Sequence, residues 1–214
     1  MKKIDAVLFD LDGTLINTNE IIVASYRHAY SRHLPNLTIS DQEIIDDIGP
    51  TLRMIFSKHT NDQYLIDTLI ETYRTYYTEN EKKYHHLYPN VVETLQELKN
   101  HNLKLAIVTS KFKDAAWPSF SYYKLEQFFD AFIALDDVKN PKPDKEPVEK
   151  ALKLLGNPQN AIMIGDNQGD ILSGKNANIL TAGVAWSIKG ASHLKKVNPN
   201  FIFEDMRDII NLIK

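Results

Sequence analysis

Short, continuous apolar runs recur along this chain and are separated by segments with helical periodicity. The runs are AVLFD near the N-terminus and, later, LKLAIVT, AFIAL, AIMIG and ILTAGVAW. Strands that alternate with helices in this way are typical of a parallel sheet built from crossover units. Because the runs are apolar throughout, both faces of the sheet must be covered by helices. The pattern predicts an α/β protein with a doubly wound parallel sheet.

A different pattern fills residues 18–86, where helical periodicity dominates and no strand pattern is convincing. Ser40 and Glu43 have the spacing of a capping box, and Pro50 suits a first helical turn. Asn61 precedes a periodic apolar set, which consists of Leu65, Leu69, Tyr73 and Tyr76. These features predict three or four helices.

The helical segment interrupts the α/β pattern without ending it. After it, Asn90 is placed to cap the helix VVETLQELK, and the chain then returns to strand LKLAIVT. We therefore expect residues 1–17 and 87–214 to form one α/β core domain, with residues 18–86 inserted as a separate helical domain.

Composition excludes several classes of protein. The 214 residues are 43% hydrophobic and 25% charged, which is ordinary for a globular domain, and the net charge is -3 without any block of like charge. Nucleic acid and membrane partners are therefore not expected. There are no cysteines, which excludes disulfides and thiolate chemistry. The opening MKKIDAVLF is interrupted by acids too early for a signal peptide, so a cytoplasmic protein is expected.

Polar residues follow the apolar runs at the carboxyl ends of the predicted strands, where open parallel sheets bind ligands. These residues are Asp10, Thr109, Ser110, Asp136, Asp137, Asp166 and Asp170. Clustered carboxylates repel one another unless a cation lies between them, and a set of hard oxygen ligands suits Mg²⁺. The alternative for any single aspartate is a turn or helix-cap residue.

Four segments carry a family resemblance that covers nearly the whole chain. FDLDGTL, IVTS, the Lys-Pro pair of NPKPDKEP, and GDNQGD resemble, in order and context, the four motifs of the haloacid dehalogenase-like hydrolases. The resemblance implies a Rossmann-like core with an inserted α-helical cap, Mg²⁺ as cofactor, and phosphatase chemistry. A binding protein that had lost catalysis would lack one of the motif residues, and all are present.

The resemblance also implies roles for individual residues. Asp10 is the nucleophile that forms an aspartyl-phosphate, and Asp12 protonates the leaving oxygen and then activates water. Thr109 donates its hydroxyl to the phosphoryl group, and Lys142 supplies a fixed cation. Lys139 and Lys145 compete with Lys142 in sequence. The list of implied metal-site residues is Asp10, Asp12, Asp166 and Asp170.

The remaining substrate-binding residues are expected to act through the backbone. Gly13 permits the sharp turn that lets N–H groups approach phosphate oxygens, and Thr14 is expected to fix that turn through its side chain. The backbone of Ser110 is expected near the phosphoryl group. The motif often reads KPxP, and here Lys145 stands in place of the second proline, which leaves the loop conformation open.

Further segments narrow the resemblance. LINTNEII, IGP, ALDDVKNPKPDKEPV and GVAWSIKG are similar to the bacterial pyrophosphatases called PpaX, within the phosphoglycolate phosphatase-like branch. This implies a small phosphorylated substrate such as inorganic pyrophosphate. The alternatives are a phosphoglycolate or sugar-phosphate phosphatase and a β-phosphoglucomutase-like mutase. Arg53 and Lys189 could bind anions or be ordinary surface residues, whereas His85 and His86 lack metal-ligand spacing and are expected to be structural.

Overall fold

A six-stranded parallel sheet dominates the computed structural model, which describes residues 3–213. Its strand order is β5-β4-β1-β6-β7-β8, and a separate two-stranded sheet pairs β2 with β3. The strands are β1 Ala6–Phe9, β2 Ile16–Asn17, β3 His86–Leu87, β4 Lys104–Val108, β5 Ala131–Ile133, β6 Ala161–Gly165, β7 Leu180–Val184 and β8 Phe201–Phe203.

Helices connect the strands of the large sheet and also fill the long segment between β2 and β3. The α-helices are α1 Asn19–His33, α2 Asp41–Asp47, α3 Leu52–Phe56, α4 Gln63–Tyr84, α5 Val91–Asn100, α6 Lys113–Tyr122, α7 Glu146–Leu154, α8 Gln168–Asn176 and α9 Ala191–Lys195. Short 3₁₀ helices span Leu125–Gln127, Leu135–Asp137 and Met206–Leu212. Within residues 3–213, no helix combines the length and the apolar character needed to cross a membrane.

The sheet is buried on both faces. Successive residues of β1 point to opposite sides, so that Val7 and Phe9 belong to one apolar cluster and Leu8 belongs to another. This two-sided burial is why the strands read as continuous apolar runs, and it confirms the predicted α/β class. Strand β8 was not predicted, because its FIF segment is too short to stand out.

The chain divides into two units. One runs up to Ile16 and resumes at Leu87, and the other is Asn17–His86. The helical unit therefore begins one residue earlier than the expected segment 18–86 and ends at the same residue. The second unit contains α1 to α4 and has its own core, in which Tyr26 packs against Phe56 and Tyr73 with ring centroids 5.5 and 4.7 Å apart.

The predicted helix starts in the helical unit were partly correct. The capping box of α2 is present, with the Ser40 side chain accepting from the Glu43 N–H. The N-cap of α4 is Asp62 rather than Asn61, and that of α3 is Thr51, so the prediction that Pro50 lies in a helical first turn was wrong.

Two further sequence predictions concern single side chains of this unit. The guanidinium of Arg53 is paired with the Asp67 carboxylate on the surface, which agrees with an ordinary surface role. His85 Nε2 lies 2.7 Å from the Tyr77 hydroxyl and His86 Nε2 lies 3.2 Å from Asn17 Nδ2. Both histidines therefore have structural partners.

In the α/β unit, Asn90 occupies the N-cap position of α5 without capping it. Its backbone is left-handed, with φ of 63°, and its side chain donates instead to Asp205 Oδ2 at 2.9 Å. Asn178, which follows α8, has φ of 58°. This left-handed conformation at a helix end is most common for glycine, and asparagine is the next most frequent residue there.

Candidate active site

Three neighbouring strands of the sheet end at the same edge, and each is followed by a residue of the predicted site. Asp10 follows β1, Thr109 follows β4 and Asp166 follows β6. Strand β1 lies between the other two, with Phe9 in register with both Ile107 and Ile164. All three polar residues are buried. The parallel register therefore brings together groups that are far apart in sequence.

Lys142 reaches this edge from the loop before α7. Its ammonium donates to Asp10 Oδ1 at 2.7 Å, to Asp170 Oδ1 at 2.5 Å and to the Val108 carbonyl at 2.9 Å. Its side chain is only 5% exposed. A lysine is almost never buried without paired charges, and here two carboxylates supply them. Of the three candidate lysines, Lys142 is the one that lies in the site.

The loop that carries Lys142 is tied down by α8. The Ser173 hydroxyl donates to the Asp144 carbonyl at 2.6 Å, and the Asn176 side chain donates to the Pro143 carbonyl at 2.9 Å. These bonds fix the backbone immediately after Lys142. The loop is therefore ordered without the second proline of the motif.

The two competing lysines have other partners. Lys145 stands at the N-cap of α7, is exposed, and its ammonium lies 2.8 Å from Glu149 Oε1 one turn along the helix. The Lys139 N–H donates to Glu146 Oε1 at 3.0 Å, and the residue is exposed. Both positions are typical of solvated surface lysines.

Asp10, Asp166 and Asp170 form a group that could hold a metal ion. Each offers one carboxylate oxygen, these oxygens lie within 4.8 Å of one another, and all three residues are buried. Hard oxygen donors of this kind suit a divalent cation such as Mg²⁺. Asp12, which was predicted as a fourth metal-site residue, is outside this group.

The electrostatics of the group show the cost of packing carboxylates together. The pKa of Asp10 is raised to about 7, mainly because the carboxyl group is buried; the charge of Lys142 opposes this rise and the charge of Asp170 adds to it. Burial and then the charges of Asp10 and Asp170 raise the pKa of Asp166 well above its ordinary value. One ammonium does not neutralise three carboxylates, so the set fits a further cation.

Burial alone would lower the pKa of the Lys142 ammonium, but the charges of Asp10 and Asp170 outweigh that effect and raise it. Lys142 is therefore a permanent cation at neutral pH. It cannot serve as a proton donor there, and its chemistry is restricted to charge and hydrogen bonding.

Asp170 has two functions in the structure. Its Oδ2 accepts from the Asn167 N–H at 3.0 Å at the start of α8, while its Oδ1 accepts from Lys142. The position of Asp170 also requires glycine at residue 165, because a Cβ added to Gly165 would lie 2.4 Å from the Asp170 carboxyl group. Helix capping and site formation, which the sequence presented as alternatives, are therefore combined in one residue.

The turn after β1 depends on Gly13. Its φ is +80°, and an added Cβ would lie 2.4 Å from Asp166 Oδ2. The Gly13 N–H donates to the Ile16 carbonyl at 2.8 Å, so in this conformation that N–H is used within the turn. The prediction for Thr14 was wrong, because its buried hydroxyl has no hydrogen-bond partner among the described residues.

Asp12 is held by a lysine that the sequence reasoning missed. Lys111 Nζ lies 2.9 Å from Asp12 Oδ1, and the other oxygen of Asp12 is buried with no hydrogen-bond partner in the described part of the chain. Lys111 follows Thr109 and Ser110 directly beyond β4. The sequence did contain a signal for this residue, because Lys111 is a cation two residues after the motif threonine Thr109, which was expected at the same edge of the sheet.

The other polar residues that were predicted near this edge of the sheet differ in what they contact. Thr109 Oγ1 accepts the Lys111 N–H at 3.1 Å. Asp136 and Asp137 accept backbone N–H groups at 2.8 Å, so they act locally as structural caps. The Lys189 N–H donates to Ser187 Oγ at 3.3 Å, and that hydroxyl donates to the Asp166 carbonyl at 2.7 Å, so the Lys189 backbone lies close to the site.

Comparison with known proteins shows the family to which the chain belongs. Residues 7–184 match the family model described as haloacid dehalogenase-like hydrolase. The chain belongs to that family, and it is an enzyme of the phosphatase type found there.

Named relatives extend over essentially the whole chain. It is 45% identical over 211 residues to the pyrophosphatase PpaX of Bacillus pumilus, covering 98% of this chain and 96% of that protein. It is 41% identical over 212 residues to the pyrophosphatase PpaX of Bacillus cereus, covering 99% and 97%. A solved haloacid dehalogenase-like family hydrolase from Streptococcus pneumoniae has the same fold, with a TM-score of 0.86, 24% identity and full coverage of both chains.

Proposed function

We propose that this chain is a magnesium-dependent phosphatase that hydrolyses inorganic pyrophosphate to orthophosphate through an aspartyl-phosphate on Asp10. The observation that carries the proposal is the meeting of three buried carboxylates with the ammonium of Lys142 at the end of β1. A buried carboxylate beside a fixed cation can receive a phosphoryl group whose charge the cation offsets.

Asp10, Asp166 and Asp170 would hold the Mg²⁺. When bound, the ion supplies positive charge that offsets the carboxylates and the phosphoryl oxygens. Their oxygens lie within 4.8 Å of one another, close enough to share one cation.

The first half-reaction uses two acids of the same turn. A carboxylate oxygen of Asp10 attacks phosphorus, and the bond from phosphorus to the bridging oxygen breaks with its electron pair remaining on that oxygen. Asp12 gives its proton to the same oxygen, so one orthophosphate leaves. The Thr109 hydroxyl and the Lys142 ammonium stabilise the charge on the transferring group.

The second half-reaction regenerates the enzyme. Asp12, now a carboxylate, accepts a proton from water as the water oxygen attacks phosphorus. The bond between phosphorus and Asp10 breaks, which releases the second orthophosphate and restores the Asp10 carboxylate. One residue therefore acts first as acid and then as base, as microscopic reversibility requires.

Two arguments support a small substrate and pyrophosphate in particular. Relatives at 41% to 45% identity over nearly the whole chain carry the name pyrophosphatase. The helical unit Asn17–His86 is inserted between β2 and β3, and its proposed role is that of a cap that excludes water and large substrates during turnover.

The test is orthophosphate release in the presence of Mg²⁺, with pyrophosphate, phosphoglycolate and a hexose phosphate compared at matched concentrations. The expected result is a clear preference for pyrophosphate, which disappears when a chelator removes the metal. Turnover without preference would remove pyrophosphate as the substrate and leave the phosphatase mechanism standing. Full turnover after metal removal would refute the magnesium requirement.

A further inference from the structure

Lys111 is fixed at the catalytic edge by its own backbone. Its N–H donates to Thr109 Oγ1 at 3.1 Å, and its carbonyl accepts from the Leu135 N–H at 2.8 Å. One of these partners is Thr109, which is proposed to contact the phosphoryl group, and the other begins the short 3₁₀ helix after β5. The position of Lys111 is therefore set by the sheet edge itself.

The two lysines of the site are paired with different carboxylates. Lys142 Nζ contacts Asp10 and Asp170, whereas Lys111 Nζ lies 2.9 Å from Asp12 Oδ1. The side chain of Lys142 is 5% exposed and that of Lys111 is 21% exposed. One cation thus lies beside the nucleophile, and the other lies beside the proton donor and remains accessible.

The proton donor marks the position of the leaving group. In the proposed mechanism Asp12 gives its proton to the oxygen that leaves, so a group in contact with Asp12 is next to that oxygen. We infer that Lys111 binds the leaving phosphate and thereby selects substrates whose leaving group is an anion. This inference rests on the proposed function, because it assumes attack by Asp10 and proton transfer from Asp12.

The chemistry explains why such a cation would discriminate between charged and uncharged leaving groups. When the bond to the bridging oxygen breaks, the electron pair passes to a phosphate that is already negatively charged. The ammonium of Lys111 offsets that charge in a partly buried site, where electrostatic interactions are stronger than in water. An uncharged alcohol or phenol leaving group has no comparable charge for Lys111 to bind.

The experiment compares pyrophosphate with phenyl phosphate, whose leaving phenol carries no second phosphate. The wild type, Lys111→Met, Lys111→Arg and Lys113→Met are assayed with Mg²⁺ for kcat/KM on both substrates. For Lys111→Met we expect a loss of about 30-fold or more on pyrophosphate, at least about tenfold larger than the loss on phenyl phosphate. Lys111→Arg keeps the charge and should recover part of the selectivity.

Lys113→Met is the matched control. Lys113 is exposed two residues further along, with its ammonium 5.5 Å from the Trp117 ring centroid, and its loss should leave the ratio between substrates at the wild-type value. Equal losses on both substrates for Lys111→Met would mean that Lys111 only positions Asp12, and this would overturn the inference. So would an unchanged rate on pyrophosphate.

The proposed function and the inference about Lys111 would be refuted by different results. A wild-type enzyme that releases no orthophosphate from pyrophosphate removes the proposed substrate and the inference with it. A wild type that prefers pyrophosphate, combined with a variant that loses both activities equally, removes the inference alone. Thermal unfolding of each variant separates a folding defect from a change in selectivity, and Lys111→Arg provides a second variant of the same position.

Discussion

The ammonium of Lys142 lies 2.7 Å from Asp10 Oδ1, although 132 positions separate the two residues in the chain. The pair joins the loop before α7 to the end of the central strand β1. Since Asp10 is the proposed nucleophile, the contact places a permanent cation where phosphoryl charge would arrive.

The first prediction concerns this cation. Lys142→Ala should lower kcat by about 100-fold or more, because the transition state loses a buried charge. Lys139→Ala and Lys145→Ala should stay within about threefold of the wild type, since exposed ion pairs contribute little. Steady-state orthophosphate release measures all three. Equal losses in the three variants would disprove the assignment of Lys142.

The second prediction concerns the nucleophile. Asp10→Asn should abolish turnover on every phosphorylated substrate, because an amide of the same shape is a poor nucleophile. The check is orthophosphate release over a long incubation, with circular dichroism to show that the variant is folded. Substantial residual turnover in a preparation free of wild type would refute the aspartyl-phosphate mechanism.

A third prediction links the metal to stability. Mg²⁺ at about 100 times its Kd should stabilise the wild type by about 2.7 kcal/mol, or roughly 5 to 10 °C in Tm. Asp166→Asn should lose most of this shift. Without metal it should melt above the wild type, because one of three repelling carboxylates is gone. Asp114→Asn, on the exposed face of α6, should behave as the wild type in both conditions.

The fourth prediction is a pH dependence of the metal-free protein. Burial raises the pKa of Asp10 from 3.8 to about 7, so between these values the folded protein binds a proton that the unfolded chain does not. The resulting stabilisation is complete below the unfolded pKa and is lost as the pH rises through the folded pKa.

This effect is measured as a difference between two proteins. With chelator present, the unfolding free energy of the wild type relative to Asp10→Asn should fall by about 1 to 4 kcal/mol from pH 4 to pH 7. Urea titrations at each pH provide the values. A flat difference across this range would show that Asp10 titrates normally in the folded protein.

The fifth prediction separates backbone strain from crowding at Gly13. Gly13→Ala and Gly156→Ala both place a side chain at positive φ, +80° and +86°, but only the former would contact Asp166, at 2.4 Å. Gly156→Ala should therefore lower the free energy of unfolding by about 1 kcal/mol, and Gly13→Ala should lower it by about 2 kcal/mol more. Gly13→Ala should also weaken Mg²⁺ binding, because the added methyl group would displace Asp166. Denaturant unfolding and the Mg²⁺-induced Tm shift test this. Equal costs would show that the turn moves to accommodate the methyl group.

The architecture was predictable because two-sided burial leaves a direct trace in sequence. Residues such as Val7 and Leu8 face opposite apolar clusters, so the strand has no polar positions, and Asp10 stands out immediately after it. The edge at which Asp10, Thr109 and Asp166 meet then follows from the parallel topology alone.

Details that depend on side-chain direction were not predictable. The pairing of Lys111 with Asp12 requires both turns after β4 and β1 to aim their side chains at each other, which no periodicity records. Asn61 and Asp62 are adjacent and equally good caps by type, so only the backbone geometry decides between them. The use of the Gly13 N–H within its own turn is likewise a matter of local geometry.

The central position of β1 also governs how this protein can be assembled during synthesis. Its hydrogen-bonding neighbours are β4 and β6, both of which leave the ribosome after the entire helical unit. Unit Asn17–His86 can therefore complete its core while β1, which leads into the proposed nucleophile Asp10, still lacks partners. A chain interrupted before β6 would contain Asp10 but neither Asp166 nor Asp170, so the proposed magnesium site could not form.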